Sequence, residues 1–371
     1  MRNRQSERAL VAAFFSGRAE KGLLSRPLSD ADWEDLIRAA AAEYLLPALH
    51  CRLSEMQVAI PQDVGDFLAS VEHMNRERNE HMFDEGQAIA GALNAIEIEP
   101  VLLKGAAYLV EGVYSDPGRR YLCDLDVLVP ASRLEEAAEA LEREGYRPDT
   151  DDTMARFRHH YPQLQRPLAA NGLPGAPVDL HHSPGQGVSQ RLLSGEEILR
   201  DARLVEWRGV RVRIPSPEHL VVHLILHSQI HHSYSERIWP PLRAIEDLAM
   251  LNRYFGGRLD WRAVRERFRA HGELSTLELH LLQANETLGM PLPFAIELGW
   301  IERVRWMRRR ALNHWPALRF VDPVYLGLST LSRRLRFLRS VVAVPGGWTH
   351  ATRLLLRRGF YRRLLAEIVL R

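Results

Sequence analysis

This sequence predicts an α+β fold, with a small mixed β-sheet at its centre and helical regions on either side. Three observations predict it. Apolar residues at helical spacing fill roughly the first 95 positions and return after position 215. Between them lie apolar runs of strand length at Glu99–Leu103, Leu122–Val129 and Val178–His181, and a hairpin pattern over Arg203–Ile214. No internal repeat or low-complexity segment interrupts this order. The expected divisions are 1–95 (helical), 96–215 (α/β core), 216–300 (helices on the core) and 301–371 (an arginine-rich helical tail).

Each element has a local reason. Ser29 or Asp30 can cap a helix over Ala31–Leu53, with Trp33, Leu36, Ile37 and Ala40 on one face. Pro61 opens a second helix running towards Ile96. Glu99–Leu103 reads as a strand, Gly105–Gly112 as a helix and Leu122–Val129 as a second strand. Ala131–Glu144 is an amphipathic helix with Leu134, Ala138 and Leu141 inward. Arg156–Gln165 alternates loosely, and Val178–His181 is a short strand carrying one acid. The hairpin turns at Arg208-Gly209, and helices follow over Pro217–His232, Trp239–Phe255, Asp260–His271 and Ser275–Leu288.

With 371 residues, 46% apolar and 26% charged, the chain has the composition of a soluble globular protein with a sizeable core. No apolar run approaches the ~20 residues that cross a bilayer. MRNRQSERAL and the VAAFFSG that follows make too short an apolar stretch for a signal peptide. Cys51 and Cys123 offer neither a disulfide framework nor zinc spacing, so a reducing cytoplasm is expected. Charge is uneven: residues 301–371 carry sixteen arginines against Glu302, Asp322 and Glu367, while the whole chain nets +2. Among 49 basic residues only Lys21 and Lys104 are lysines. Lys104 lies in the stretch with the most chemical content.

That stretch is Val101–Pro130, VLLKGAAYLVEGVYSDPGRRYLCDLDVLVP. Asp124 and Asp126 are two residues apart in an otherwise apolar run, so on a strand they share a face. Two acids there are costly to bury unless a cation neutralises them, and an all-oxygen pair suits Mg²⁺ or Mn²⁺. Lys104-Gly105 sits at a strand-to-helix junction, where glycine lets backbone amides approach a phosphate and lysine adds a point charge. Asp179 can complete a three-carboxylate cluster or accept a proton from an incoming hydroxyl. The competing readings are solvent-facing strand-end acids for the pair and a turn-shaping acid for Asp179.

The order LLKGAA, R-x-x-x-DLDVLV, VDLHH resembles the polymerase-β-type nucleotidyltransferase superfamily, in particular a poorly characterised bacterial branch with Lys-Gly in place of the usual Gly-Ser. DWEDLIRAAAAEYLLPAL and SPEHLVVHLILHSQIHH…LRAIEDLAML extend the resemblance over roughly Ala31 to Leu292. It implies a nucleotidyltransferase core that binds a nucleoside triphosphate, with Mg²⁺ (or Mn²⁺) at Asp124, Asp126 and Asp179, and an unidentified acceptor. Lys104 and Gly105 match the phosphate-side loop, and Arg120 matches the arginine four residues before the first aspartate. Cys123 stands where a glycine or serine is common.

His219, His223, His227 and His231 form one stripe at a spacing of four. They read either as polar packing on the core, as substrate contacts (His223 and His227), or as the metal site of a zinc hydrolase. A non-catalytic regulatory or toxin–antitoxin-type partner retaining the fold is a further alternative. In the tail, Leu328, Leu331, Leu335, Leu338 and Val342 form an apolar stripe among arginines. It reads as docking on the acidic remainder of the chain, as peripheral contact with a membrane surface, or as a nucleic-acid face.

Overall fold

The computed structural model describes residues 4–16, 28–148, 160–167, 175–231, 241–315 and 318. The chain divides into two units, Met1–Gly299 and Trp300–Arg371. The first unit opens with helices α1 (Arg4–Ser16), α2 (Asp30–Ala42), α3 (Leu46–Glu55) and the long α4 (Gln62–Ala95). The α/β portion follows: β1 (Val101–Leu102), α5 (Lys104–Glu111), β2 (Leu125–Leu128), α6 (Leu134–Arg143), β3 (Arg147–Pro148), β4 (Leu164–Gln165), β5 (Val178–His181), α7 (Val188–Leu192), α8 (Gly195–Asp201), β6 (Arg203–Trp207) and β7 (Val210–Ile214). Helix α9 (Pro217–Ile225) runs on into a π-helical turn, Leu226–His231, and is followed by α10 (Leu242–Phe255), α11 (Trp261–Ala270) and α12 (Leu274–Leu288). In the second unit, α13 spans Trp300–His314.

The seven strands form one mixed sheet in the order β3-β4-β5-β2-β1-β7-β6. Strand β2 lies near the middle, antiparallel to β1 and parallel to β5. All four of its residues are buried, which is what a central strand covered on both faces requires. One apolar core runs from Leu10 in α1 to Met290 after α12, so helices and sheet of this unit share it. The α+β expectation holds.

Local chemistry explains most boundaries. Ser29 caps α2 with its hydroxyl on the Asp32 amide, and Asp32 returns the bond to the Ser29 amide, a complete capping box. The expected single helix over Ala31–Leu53 is two helices. Pro47 cannot donate the bond that would carry a helix through it, and Tyr44 adopts a left-handed φ of 57° at the break. The hairpin turns where expected, with Arg208 at φ 50° and Gly209 at φ 78°, as a type I′ turn demands. The strand expected over Leu122–Val129 begins only at Leu125. Arg78 of α4 takes the carbonyls of Leu122 (3.0 Å) and Cys123 (3.4 Å), so these two acceptors serve a side chain instead of a ladder.

Helix α4 thereby becomes the support of the site. Its buried Asn75 donates to Gly118 O (2.7 Å), and its buried Asn79 to Pro117 O (2.5 Å) and Arg120 O (2.7 Å). These bonds fix the loop that leads into Asp124. Of the loosely alternating stretch Arg156–Gln165, positions 156–159 lie outside the described residues and the end forms β4. The apolar stripe from Leu328 to Val342 also lies outside them. Among the described residues no helix is long and apolar enough to cross a membrane.

Candidate active site

Parallel pairing of β2 with β5 sets Asp126 directly beside Asp179 and Leu128 beside His181. Residues two apart on a strand share a face, so Asp179 and His181 both project towards Asp126. Ligand-type atoms of Asp126, Asp179 and His181 all lie within 4.8 Å of one another. His181 was not among the sequence-derived candidates, although its position two residues beyond Asp179 carried the signal.

Asp126 is 3% exposed and accepts two bonds on the same oxygen, Oδ1, from Lys104 Nζ at 2.5 Å and His181 Nε2 at 2.7 Å. Burial alone pushes its pKa up, but Lys104 and His181 outweigh that and hold it well below the usual carboxylate range. Lys104 shows the converse balance: burial favours its neutral form, while Asp126, Asp124 and Asp179 together raise its pKa. Burial lowers the pKa of His181 despite the bond to Asp126, so the ring is neutral at pH 7. A carboxylate only accepts, so the tautomer assigned is the one with the proton on Nε2. In that form His181 orients Asp126 from behind, as ligand-supporting imidazoles do.

Lys104 reaches Asp126 through an unusual backbone. It is the first residue of α5 and has φ 47°, a region that costs a side-chain-bearing residue about 1–2 kcal/mol. Leu103 N bonds Asp126 O at 2.9 Å just before this turn, so the junction is pinned to β2. Asp124 precedes β2, is only half buried and stands outside the converging group, but it shares the field of the other three charges. Burial first, then Asp126 and Asp179, push its pKa up to about 6 against Lys104 and Arg243. Asp179 accepts from Gln163 Nε2 at 2.9 Å. Lys104, Asp126, Asp179 and His181 thus lie together, while Asp124 acts on them through its charge from outside the converging group.

Arg120 and Gly105 sit differently. Arg120 is buried and grips Asp247 of α10 with two bonds, Nε to Oδ1 at 2.7 Å and Nη2 to Oδ2 at 2.9 Å. Tyr114 donates to the same Oδ1 at 2.6 Å, and the Arg120 guanidinium lies 5.3 Å from the Tyr108 ring centre. Gly105 leaves the space this guanidinium fills: an added Cβ would come 2.8 Å from Arg120 Cζ and 2.7 Å from Leu122 Cδ1. Replacing Gly105 by Ala is therefore expected to destabilise the protein by about 2 kcal/mol, read as a lower midpoint in urea, because the guanidinium has to move off Asp247.

His223 and His227 pack edge to face, with ring centres 6.4 Å apart, where α9 passes into the π-helical turn. His219, on the same stripe, instead lies 3.8 Å from Glu197 and 3.9 Å from Asp201. Among the described residues no converging ligand group contains two histidines of the stripe.

A strand-borne acid pair, a lysine at a strand-to-helix junction and a supporting helix around a mixed sheet define the class as nucleotidyltransferase-like. The chain belongs to the uncharacterised nucleotidyltransferase family, whose model matches residues 29–289. No curated protein matches the sequence. Among solved structures it is similar to an antigenic nucleotidyltransferase-like protein from Paracoccidioides brasiliensis, at 15% identity over 54% of this chain and 89% of that one, with a TM-score of 0.35. It is similar also to the antibiotic-resistance factor ANT(2'')-Ia, at 16% identity over 54% of this chain and 94% of that one, with a TM-score of 0.34.

Proposed function

We propose that the protein transfers a nucleoside monophosphate from a nucleoside triphosphate to an acceptor hydroxyl, releasing pyrophosphate. The observation that carries this reading is the register pairing of Asp126 with Asp179, with the Lys104 ammonium on Asp126 and Asp124 beside them. Asp126 and Asp179 converge with His181, and Asp124 lies in the same field; the carboxylates of Asp124, Asp126 and Asp179 are hard oxygen donors that suit Mg²⁺ or Mn²⁺. When bound, that cation supplies positive charge to the phosphate oxygens as they gain electron density.

The chain's own residues supply the rest. The acceptor oxygen attacks the α-phosphorus, the bond from that phosphorus to the bridging oxygen breaks, and pyrophosphate leaves. Asp179 takes the proton of the acceptor hydroxyl. Lys104 transfers its ammonium from Asp126 to a phosphate oxygen when the triphosphate arrives, and the first amides of α5 face the same anion. His181 keeps Asp126 oriented throughout. Arg120, through Asp247, holds the loop that presents Asp124.

Incubation with α-³²P-labelled triphosphates, Mg²⁺ and a panel of small-molecule, protein and RNA acceptors tests this. Label transfer by the wild type and its loss in Asp126→Asn are expected. Neither transfer nor Mg²⁺-dependent triphosphate binding by the wild type would rule the reading out.

A further inference from the structure

The segment from Arg120 to Asp124 is flanked by two arginines that form no ion pair among the described residues, Arg78 and Arg243. Arg78 spends its donors on the carbonyls of Leu122 and Cys123. Arg243 is different. It lies on α10, one turn before Asp247, with Nη1 3.6 Å from Cys123 Sγ and no carboxylate partner among the described residues. It is half buried, and the carboxylates of Asp124 and Asp247 act on its charge only through space, so no carboxylate oxygen among the described residues occupies its donors.

The geometry holds Arg243 ready for an anionic ligand. Its guanidinium lies 5.6 Å from the ring centre of Tyr44. Tyr44 in turn stacks on Tyr121 with ring centres 5.5 Å apart and planes at 24°, and Arg78 lies 4.8 Å from the Tyr121 ring centre. Four side chains thus form a cation–aromatic column beside Asp124, drawn from the α2–α3 turn, α4, the loop before β2 and α10. Tyr44 is 55% exposed, so the column reaches the surface. Its left-handed φ of 57° closes the end of α2, with Leu45 N bonded to Ala40 O at 2.9 Å. A planar guanidinium fixed on an aromatic face loses little freedom when it takes up an oxyanion.

We propose that Arg243, presented by the Tyr44–Tyr121 stack, binds a phosphate group at the Asp124 side of the site. The source of that phosphate is either the nucleoside triphosphate or a phosphorylated acceptor. Only this choice of source rests on the nucleotidyl-transfer reading; the anion site itself does not.

Full-length wild type, Arg243→Gln and Arg243→Lys are titrated calorimetrically with ATP in Mg²⁺ and, separately, with inorganic phosphate. Thermal melts show that the variants are folded, and the lysine variant keeps the charge and the stem. Removing a charge-assisted contact is expected to weaken binding about tenfold to hundredfold in Arg243→Gln, with a smaller loss in Arg243→Lys because the planar fork is gone. A loss for ATP identifies the triphosphate as the source; a loss for inorganic phosphate with ATP unchanged identifies an acceptor phosphate. Equal affinities in wild type and Arg243→Gln for both probes would overturn the anion site while leaving the transferase reading intact. Arg243-dependent phosphate binding without any binding of Mg²⁺-ATP would support the anion site and sink the transferase reading. A wild type that binds neither probe overturns both.

Discussion

Asp124→Asn is expected to abolish nucleotidyl transfer, by about a thousandfold or more, and at the same time to stabilise the metal-free protein at pH 7. The activity loss follows from removing a carboxylate that the proposed cation and the developing charge both require. The stability gain follows from the company Asp124 keeps. Folding raises its pKa from an ordinary 3.8 to about 6, with burial the largest cause and the charges of Asp126 and Asp179 next. Between those two pH values the folded protein holds a proton that the unfolded chain releases. Asp124 therefore contributes its full stability below the unfolded pKa, and that contribution is lost as pH rises through about 6. Asparagine carries no such dependence. Its advantage over the wild type should grow by roughly 2 kcal/mol between pH 4 and pH 7, seen as a rise of several degrees in relative melting temperature in the presence of a chelator. A variant that loses activity and also melts lower across that range would mean that Asp124 holds the fold together.

This opposition between activity and stability separates the acids of the site from one another. Asp126 is matched in the metal-free protein by Lys104 and His181, so its charge is stabilised there and its removal leaves the half-buried Lys104 without this partner. Asp124 has no such hydrogen-bonded match, and only the through-space charges of Lys104 and Arg243 favour its ionised form. The two aspartates look equivalent in the sequence because they stand two residues apart, but they differ because β2 begins between them. The strand starts at Leu125, where its amide pairs with Pro177 O at 2.9 Å, and the preceding carbonyls belong to Arg78.

That difference marks how far the sequence could be read. Patterns within a few residues were legible because their physics is local: a cap at Ser29 or Asp30, which the structure places at Ser29, the Arg208-Gly209 turn, and the strand-to-helix junction at Lys104. The meeting of Asp126 with Asp179 was legible through the motif order of the family, and the register of β2 on β5 realises it. His181 was within reach of the alternation rule alone. The break at Tyr44 was also signalled, by Pro47, but the apolar spacing on either side of it suggested one helix. Long-range polar pairing was not legible. Nothing near Arg120 identifies Asp247, and nothing in α10 singles out Arg243 from its other arginine, Arg253, because these partners are chosen by how α10 packs against the loop before β2.

Asp247→Ala is expected to cost about 3–5 kcal/mol of stability, the largest loss of any single change near the site, because it leaves the Arg120 guanidinium buried and unpaired. Tyr114 loses its acceptor in the same step. Burial alone would raise the pKa of Asp247, but Arg120 overrides it and the pKa is lowered, so the wild type owes this contribution to pH above the ordinary carboxylate range and loses it as pH falls through the depressed value. The alanine variant should accordingly lack that part of the acid destabilisation in a urea-midpoint profile. A second change then separates support from substrate contact. Replacing the pair together by apolar side chains, Arg120→Met with Asp247→Leu, removes both charges and should recover most of the stability. If Arg120 acts only by holding the loop, transfer activity returns along with the fold, whereas an Arg120 that also touches the triphosphate leaves the repaired protein stable and inactive. The two bonds to Asp247 and the guanidinium packed over Gly105 favour the first outcome, since Asp247 takes Nε and Nη2 while Nη1 lies over Gly105 and 3.4 Å from Tyr121 O.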